Sequence, residues 1–483
     1  MKLITRDIIN KNLKVKSFND KDSLVKIDEY SYDDIIKGID QAKTLLHNLG
    51  LRAGDKILLT TNTWPEYLVW FFSGAELGLS FLVSDYPDID EKHLVERRLE
   101  LYGEIKLHIG DKRSVVKDHL PSLKNKFLDF QEYKYVVEPD YKDVIINDKN
   151  LPLVTCTSSG TTGIVKIVNH SHEFFYDLLH RNAKIYNLNP TDKCLHTKGL
   201  HHGSVTGVYF LPTIKYCENH FYAKHREHDN NEQAKQQINN WKVVKNFWAS
   251  VIHKENLNRA LMFYDMIDVF DEVTSLESNV TNNLDLFVLS PVKESVYEHL
   301  IGKRGYNIHS VFGCSETSGP LFLPCFNKEN YLKKPRNNFG QPLDNFYKLK
   351  LNDEILTVEM PDGSNIETGD KFKIENENWI FYGRENLYRI NGNSIYLDLL
   401  IDVVEKHLKT KHTDVFDIVI DGKFNQIYLR TDYTIDLDSL NSVVKTILNK
   451  NYCFSKQIIK RRKDCIRGIK FDAEYIRLLG REK

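Results

Sequence analysis

The sequence predicts an α/β protein: a large N-terminal domain of parallel and mixed sheets with flanking helices and a small antiparallel subdomain, followed by a small α+β domain. Three observations predict it. A strand–helix–strand alternation runs through residues 31–83, similar units recur as far as NIHSVFG at 307–313, and the pattern changes to short antiparallel runs before Gly383.

The first unit opens with SYDDIIKGIDQAKTLLHNLG, in which Ile35, Ile36, Ile39, Ala42, Leu45 and Leu46 form one helical stripe and Gly50 stops the helix. KILLTT then reads as a buried strand and EYLVWFFSGAELG as a crossover helix, so the strands on either side run parallel. Further units are VTCTSS as a strand before a glycine-rich turn, SHEFFYDLLHRNAKIY as a helix, WKVVKNFWASV as strand and turn, and LDLFVLS and NIHSVFG as strands. LTVEM, KFKIE and WIFYG read as short antiparallel strands, which places a domain boundary between 383 and 384. Beyond it, LDLLIDVVEKHLK is an amphipathic helix, DVFDIVIDGKFNQIYLRTD a hairpin and SLNSVVKTILNK a second helix. The expected domains are therefore 1–383 and 384–483.

With 483 residues, 41% hydrophobic and 28% charged, the chain has the composition of a globular protein of more than one domain. A formal net charge of −1 supplies no global field toward nucleic acid, and the basic run Lys460 to Lys463 is offset by acidic stretches. The seven cysteines are scattered and never spaced CxxC, which argues against a disulfide framework and a zinc site and for a reducing, cytoplasmic location. The N-terminus lacks the apolar segment of a signal peptide, and no apolar run reaches the roughly 20 residues of a membrane span.

The segment richest in chemistry is Ser158-Ser159-Gly160-Thr161-Thr162-Gly163-Ile164-Val165-Lys166. Glycines let backbone N–H groups surround phosphate oxygens, hydroxyls add donors and the lysine adds a point charge. The spacing excludes a Walker loop. Taken alone, such a run equally describes a surface loop. Phe312-Gly313-Cys314-Ser315-Glu316-Thr317 combines an aromatic suited to stacking on a base, a carboxylate suited to a hard cation and a hydroxyl. Glu316 alone would read equally as an acid at a helix N-terminus.

SSGTTGIVK resembles the (S/T)SG(T/S)TGxPK signature of the acyl-adenylate-forming superfamily of acyl-CoA synthetases, peptide-synthetase adenylation domains and luciferases, with Val165 in place of the usual proline and His172 at the family's histidine position. Other segments follow in the family's order. GLHHGSVTG, with His201, His202 and Gly203, resembles the segment beside the acyl pocket, and FGCSE resembles (Y/F)GxTE. Thr368-Gly369-Asp370 is similar to the ribose-binding turn, Gly383-Arg384 to the hinge, and Arg389 to Gly392 to the loop used in the second half-reaction, with one residue fewer than usual between Arg384 and Gly392. Arg467-Gly468-Ile469-Lys470 is similar to the C-terminal glycine-lysine motif with one residue inserted, and Lys463 is the competitor for its lysine. The Gly-Gly-Ala segment that the family carries before the FGCSE strand is missing.

The resemblance implies two half-reactions. ATP and a carboxylic acid form an acyl-adenylate, with Mg²⁺ on Glu316, the pyrophosphate restrained by Ser158, Ser159, Gly160, Thr161, Thr162, Gly163 and Lys166, and Lys470 bridging carboxylate and α-phosphate. Phe312, Gly313, Thr317, Asp370 and Arg384 would hold the nucleotide, while His201, His202 and Gly203, with the region from Phe247 to Ser250, would line the acid's pocket. A mobile C-terminal domain then admits a thiol, coenzyme A or the pantetheine arm of a carrier protein. With no carrier domain after residue 483, the expectation is an acyl-CoA ligase. A non-catalytic nucleotide- or acyl-binding member and a luciferase-like oxygenase are the alternatives.

Overall fold

The computed structural model describes residues 2–21, 24–60, 65–83, 101–110, 126–140, 148–157, 167–196, 205–223, 251, 255–262, 284–289, 294–335, 337–384, 387–390, 393–408, 416–421, 426–431, 434–448 and 452–459. The opening unit follows its sequence pattern. Ser31 caps helix α1 (Tyr32–Asn48) by accepting from the Asp34 amide, while the Asp34 carboxylate accepts from the Ser31 N–H. Ile35, Ile39, Ala42 and Leu46 are buried, and Ile36 and Leu45 sit half-buried at the edges of the stripe. Gly50, at φ 82°, takes the left-handed turn that ends the helix. Helix α2 (Glu66–Glu76) is buried along its whole length and connects the parallel strands Lys56–Leu59 and Ser80–Val83.

These strands belong to a six-stranded sheet in the order Phe127–Asp129, Leu107–Gly110, Lys56–Leu59, Ser80–Val83, Pro152–Thr157, Ile167–Ser171. Its pairs are parallel except the last. Helix α3 (His172–Ile185) leaves the end of that sheet with Ser171 as its N-cap. An eight-stranded sheet runs Cys325–Phe326, Asn307–Ser310, Asp285–Val288, Arg259–Met262, Lys193–His196, Asn219–Ala223, Lys14–Lys21, Leu24–Ser31. It is parallel through its centre and antiparallel at both edges. A π-helical turn, Thr206–Phe210, runs directly into helix α4 (Leu211–Tyr216). One core joins α1, α2, α3 and that turn to both sheets, and a second fills the opposite face of the eight-stranded sheet beside helix α5 (Glu294–Tyr297).

The expected antiparallel subdomain is a five-stranded sheet, Asn338–Gly340, Asn378–Arg384, Asn365–Glu375, Ile355–Glu359, Lys348–Asn352. Past it come the hairpin Leu387–Ile390 with Asn393–Tyr396, helix α6 (Leu397–Leu408), the predicted hairpin Phe416–Asp421 with Gln426–Thr431, and helix α7 (Leu437–Ile447). These last elements share a hydrophobic cluster of their own, including Leu400, Val404, Leu429, Leu440 and Val444. Among the described residues no helix is long and apolar enough to cross a membrane.

Glu76, at the end of an otherwise apolar helix, is wholly buried and doubly paired. The Arg6 guanidinium grips it with two bonds of 2.6 and 2.7 Å, and the buried Lys43 ammonium lies 2.8 Å away. Arg6 also reaches Asp40 at 2.6 Å, so the group ties the N-terminal segment to α1 and α2. Burial by itself would raise the Glu76 carboxyl, but the two cations outweigh it and hold the carboxyl below its ordinary range. Glu76→Gln should therefore cost on the order of 3 kcal/mol, read from the midpoint of urea denaturation, because it leaves the buried Lys43 and the half-buried Arg6 undercompensated. Since the folded value lies below the unfolded one, the glutamate's contribution is complete above pH ~4.3 and fades as pH falls through the folded value. The gap between wild type and variant should narrow in acid.

Candidate active site

The FGCSE loop begins past the carboxyl end of a strand in the eight-stranded sheet, and two other segments singled out in the sequence come directly after strands in chain order. Residues 158–166 follow the strand Pro152–Thr157, residues 197–204 follow Lys193–His196, and the FGCSE loop follows Asn307–Ser310. The carboxyl ends of parallel strands are the usual ligand crevice of open α/β sheets. Ser158 to Lys166, His201, His202, Gly203 and Lys470 lie outside the described residues, as do Phe247 to Ser250 and the segment 290–293 where the adenine floor would stand.

The FGCSE loop is the described centre of the site. Phe312 bridges to Phe322, and its ring packs against Phe322, Phe339, Phe372 and Phe381 at centroid distances of 4.9 to 5.9 Å. The strand leading into the loop is thereby fixed to the five-stranded sheet. The chain then turns on the amides of Thr317 and Ser318, which both donate to the Cys314 carbonyl at 3.2 and 3.1 Å. Ser318 closes the turn at φ 43°, a conformation that costs a non-glycine residue energy unless its surroundings impose it. A Cβ on Gly313 would stand 2.4 Å from the Gly319 carbonyl oxygen, which explains the glycine at that motif position.

Helix α3 holds the loop from behind. Arg181 donates to the Pro320 carbonyl at 2.9 Å, pairs with Asp344 at 2.7 Å, and lies against the rings of Phe346 and Tyr347. Asn182 donates to the Gly207 carbonyl at 2.9 Å, so the same helix also fixes the π-helical turn that follows the histidine-glycine segment. The Tyr347 hydroxyl donates to the Thr317 carbonyl at 2.6 Å.

Thr317, assigned to the nucleotide from sequence, is wholly buried, and its hydroxyl donates to the Gly319 carbonyl at 2.9 Å while accepting from the Cys314 amide at 3.2 Å. The turn uses that hydroxyl to close itself. The hydroxyl beside Glu316 at the half-buried rim belongs instead to Ser315. The aromatic expected to stack on a base, Phe312, is half-buried with part of its ring committed to the phenylalanine cluster.

Asp370 arrives from the five-stranded sheet. Ile355 pairs with Lys371 and Thr357 with Glu367, so the longer strand carries extra residues at 368–370 and bulges there. Gly369 makes the bulge at φ 73°. Thr368 accepts from the Asp370 amide at 3.1 Å and donates to the Leu356 carbonyl at 3.0 Å, and Asp370 is 4% exposed. The Arg384 backbone lies directly opposite Asp370 on the neighbouring strand. Burial, together with the Glu316 and Asp370 carboxylates, pushes the Cys314 thiol well above its ordinary value. The thiol therefore stays protonated at neutral pH.

Two histidines after the glycine-rich segment take different roles. His172, at the family's histidine position, is wholly buried at the start of α3, where its Nδ1 accepts from the Ile4 amide at 3.3 Å. His170 lies 2.8 Å through Nε2 from the Ser315 carbonyl, so Nε2 carries the proton. Burial lowers both to about 4, so both are neutral in the physiological range. The sequence reading named neither His170 nor Arg181 nor Tyr347, because a lone residue in a strand or on a helix carries no motif.

A hard divalent cation suits the rim. Among the described residues no three His, Cys, Asp or Glu side chains converge as a metal cage. A single carboxylate such as Glu316 matches a magnesium ion that takes its remaining ligands from phosphates and water.

The family described as AMP-binding enzyme matches residues 13–365. No curated protein matches the chain significantly. Among solved structures, o-succinylbenzoate CoA synthetase (MenE) from Bacillus subtilis, a double mutant with a product analogue, superposes with a TM-score of 0.66 at 15% identity over 94% of this chain and 93% of that one. McyG A-PCP, complexed with phenylalanyl-adenylate, gives 0.64 at 14% over 95% and 92%, and amide bond synthetase McbA from Marinactinospora thermotolerans gives 0.64 at 12% over 93% and 95%. At these identities the likeness establishes the fold.

Gly313→Ala should lower stability by about 1–3 kcal/mol, measured by thermal denaturation, because its methyl group meets a backbone carbonyl with no room to retreat.

Proposed function

Because the chain belongs to the AMP-binding enzyme family, of the acyl-adenylate-forming superfamily, we propose that it activates a carboxylic acid with ATP and passes the acyl group to a thiol, coenzyme A in the first place. The observation that carries the reading is the family match over residues 13–365, supported by the FGCSE turn being bonded to the strand that follows the SSGTTGIVK segment in sequence.

In the first half-reaction a substrate carboxylate oxygen attacks the α-phosphorus and pyrophosphate leaves. A carboxylate is already a nucleophile, so the protein's task is to position the reactants and neutralise charge, and no general base is required. Glu316 would hold Mg²⁺, which would supply positive charge to the phosphates. Asp370 accepts from the ribose hydroxyls with Arg384 alongside, and Ser315, rather than Thr317, is the hydroxyl of the turn offered to the phosphate. Ser158, Ser159, Gly160, Thr161, Thr162, Gly163 and Lys166 restrain the leaving pyrophosphate. His201, His202 and Gly203 border the acid. Lys470, carried by a mobile domain of residues 384–483, stands between the two anions. In the second half-reaction the thiol sulfur attacks the acyl carbonyl and AMP departs as the thiol loses its proton.

Pyrophosphate exchange with ATP, Mg²⁺ and a panel of short, medium, long-chain and aryl acids tests the reading. Wild type should respond to one class of acid. Glu316→Gln should lose on the order of 100-fold in kcat, Asp370→Asn should raise the KM for ATP about tenfold, and Lys470→Ala should abolish adenylation. Exchange surviving in Lys470→Ala would move that role to Lys463. A thermal shift with ATP but no exchange with any acid would instead support the non-catalytic binder. Consumption of coenzyme A, against loading of a carrier protein or of an amine, then decides the acceptor.

A further inference from the structure

We propose that His170 is a positioning residue of this site: by donating Nε2–H to the Ser315 carbonyl, it fixes the Ser315–Glu316 peptide, and with it the Glu316 side chain, to the strand that leaves the SSGTTGIVK segment. The inference rests on the proposed function for its catalytic consequence but not for its geometry.

The bond is 2.8 Å long, and His170 is 3% exposed. Its ring is held on two sides, stacked on Phe174 at 4.7 Å with a 14° interplanar angle and edge-on to Phe175 at 5.4 Å. Its backbone is held as well, in the strand Ile167–Ser171 opposite Val154. The donor therefore has little freedom to follow a moving loop. On the acceptor side, the Ser315 carbonyl shares one planar peptide unit with the Glu316 amide, so anchoring its oxygen sets the direction from which the Glu316 backbone starts. The Ser318 hydroxyl donates to the same oxygen at 3.2 Å, closing the turn around the anchored atom.

In the proposed function, Glu316 and the glycine-rich segment before this strand act on one triphosphate. Lys166 precedes His170 by four residues in the same stretch of chain, and Glu316 follows the bonded carbonyl directly. A shift of about 1 Å between groups that clamp a reacting phosphate can cost two orders of magnitude in rate, so a rigid bond between their supports has catalytic weight. A neutral imidazole makes that bond without adding a cation that would compete for Glu316.

The test compares His170→Phe, which keeps an aromatic ring on Phe174 but removes the N–H, with His170→Gln, whose amide places a donor near the same point. In pyrophosphate exchange, H170F should lose roughly 10- to 100-fold in kcat and need about tenfold more Mg²⁺, with the KM for the acid little changed, and H170Q should recover most of the loss. Amide hydrogen exchange read by mass spectrometry should speed up in peptides spanning 312–320 in H170F, stay unchanged elsewhere, and return toward wild type in H170Q. Unchanged exchange across 312–320 in H170F would overturn the clamp, as would wild-type kcat and Mg²⁺ dependence in that variant. Equal losses in both variants with faster exchange throughout the protein would leave His170 a packing residue and also overturn it. A wild type inactive with every acid would sink the ligase reading instead, while the exchange comparison would still decide whether the clamp exists.

Discussion

The site depends on a close approach of backbones that leaves no room for a side chain. Where the FGCSE loop meets the π-helical turn, a Cβ on Gly207 would fall 2.3 Å from the Ser318 carbonyl. At Gly313 it would fall 2.4 Å from the Gly319 carbonyl, and at Gly319 2.7 Å from Leu178 on α3. These contacts seat the loop against helix α3 from one side, while Tyr347 and the phenylalanine cluster seat it against the five-stranded sheet from the other. Ser318 can hold its positive φ because the turn is over-determined in this way.

The same packing sorts the polar groups of the motif. Thr317 faces inward and satisfies the turn's own backbone, which an unpartnered hydroxyl at that depth would otherwise leave costly. Ser315 and Glu316 remain at the half-buried rim. Charge is sorted as well. Arg181 is matched by Asp344, His170 and His172 are neutral, and the Cys314 thiol is kept protonated.

Much of the architecture was legible because amphipathic period and capping are local. The α1 stripe, its Ser31 cap and Gly50 stop, the parallel strands around α2, helix α3 and the C-terminal helix–hairpin–helix all follow from neighbouring residues. The N-terminal hairpin Lys14–Lys21 with Leu24–Ser31 was not read. Its strand KVKSFNDK mixes polar and apolar residues, and its place in the eight-stranded sheet comes from parallel pairing with Asn219–Ala223. Glu76 reads in sequence as an interruption of an apolar run, and only Arg6 and Lys43 reveal it as the anchor of the N-terminal segment.

The sequence by itself determined the fold class, the order of the motifs and the residue types available for anion and cation chemistry, because these depend on composition, period and spacing along the chain. The tertiary structure decided which of those groups face one another. It turned Thr317 inward and left Ser315 at the rim, made a bulge of Thr368-Gly369-Asp370, and set His170 against the Ser315 carbonyl. Each of these depends on contacts between residues far apart in sequence, and the direction of a side chain in a tight turn is set by what packs against that turn, which no local pattern encodes.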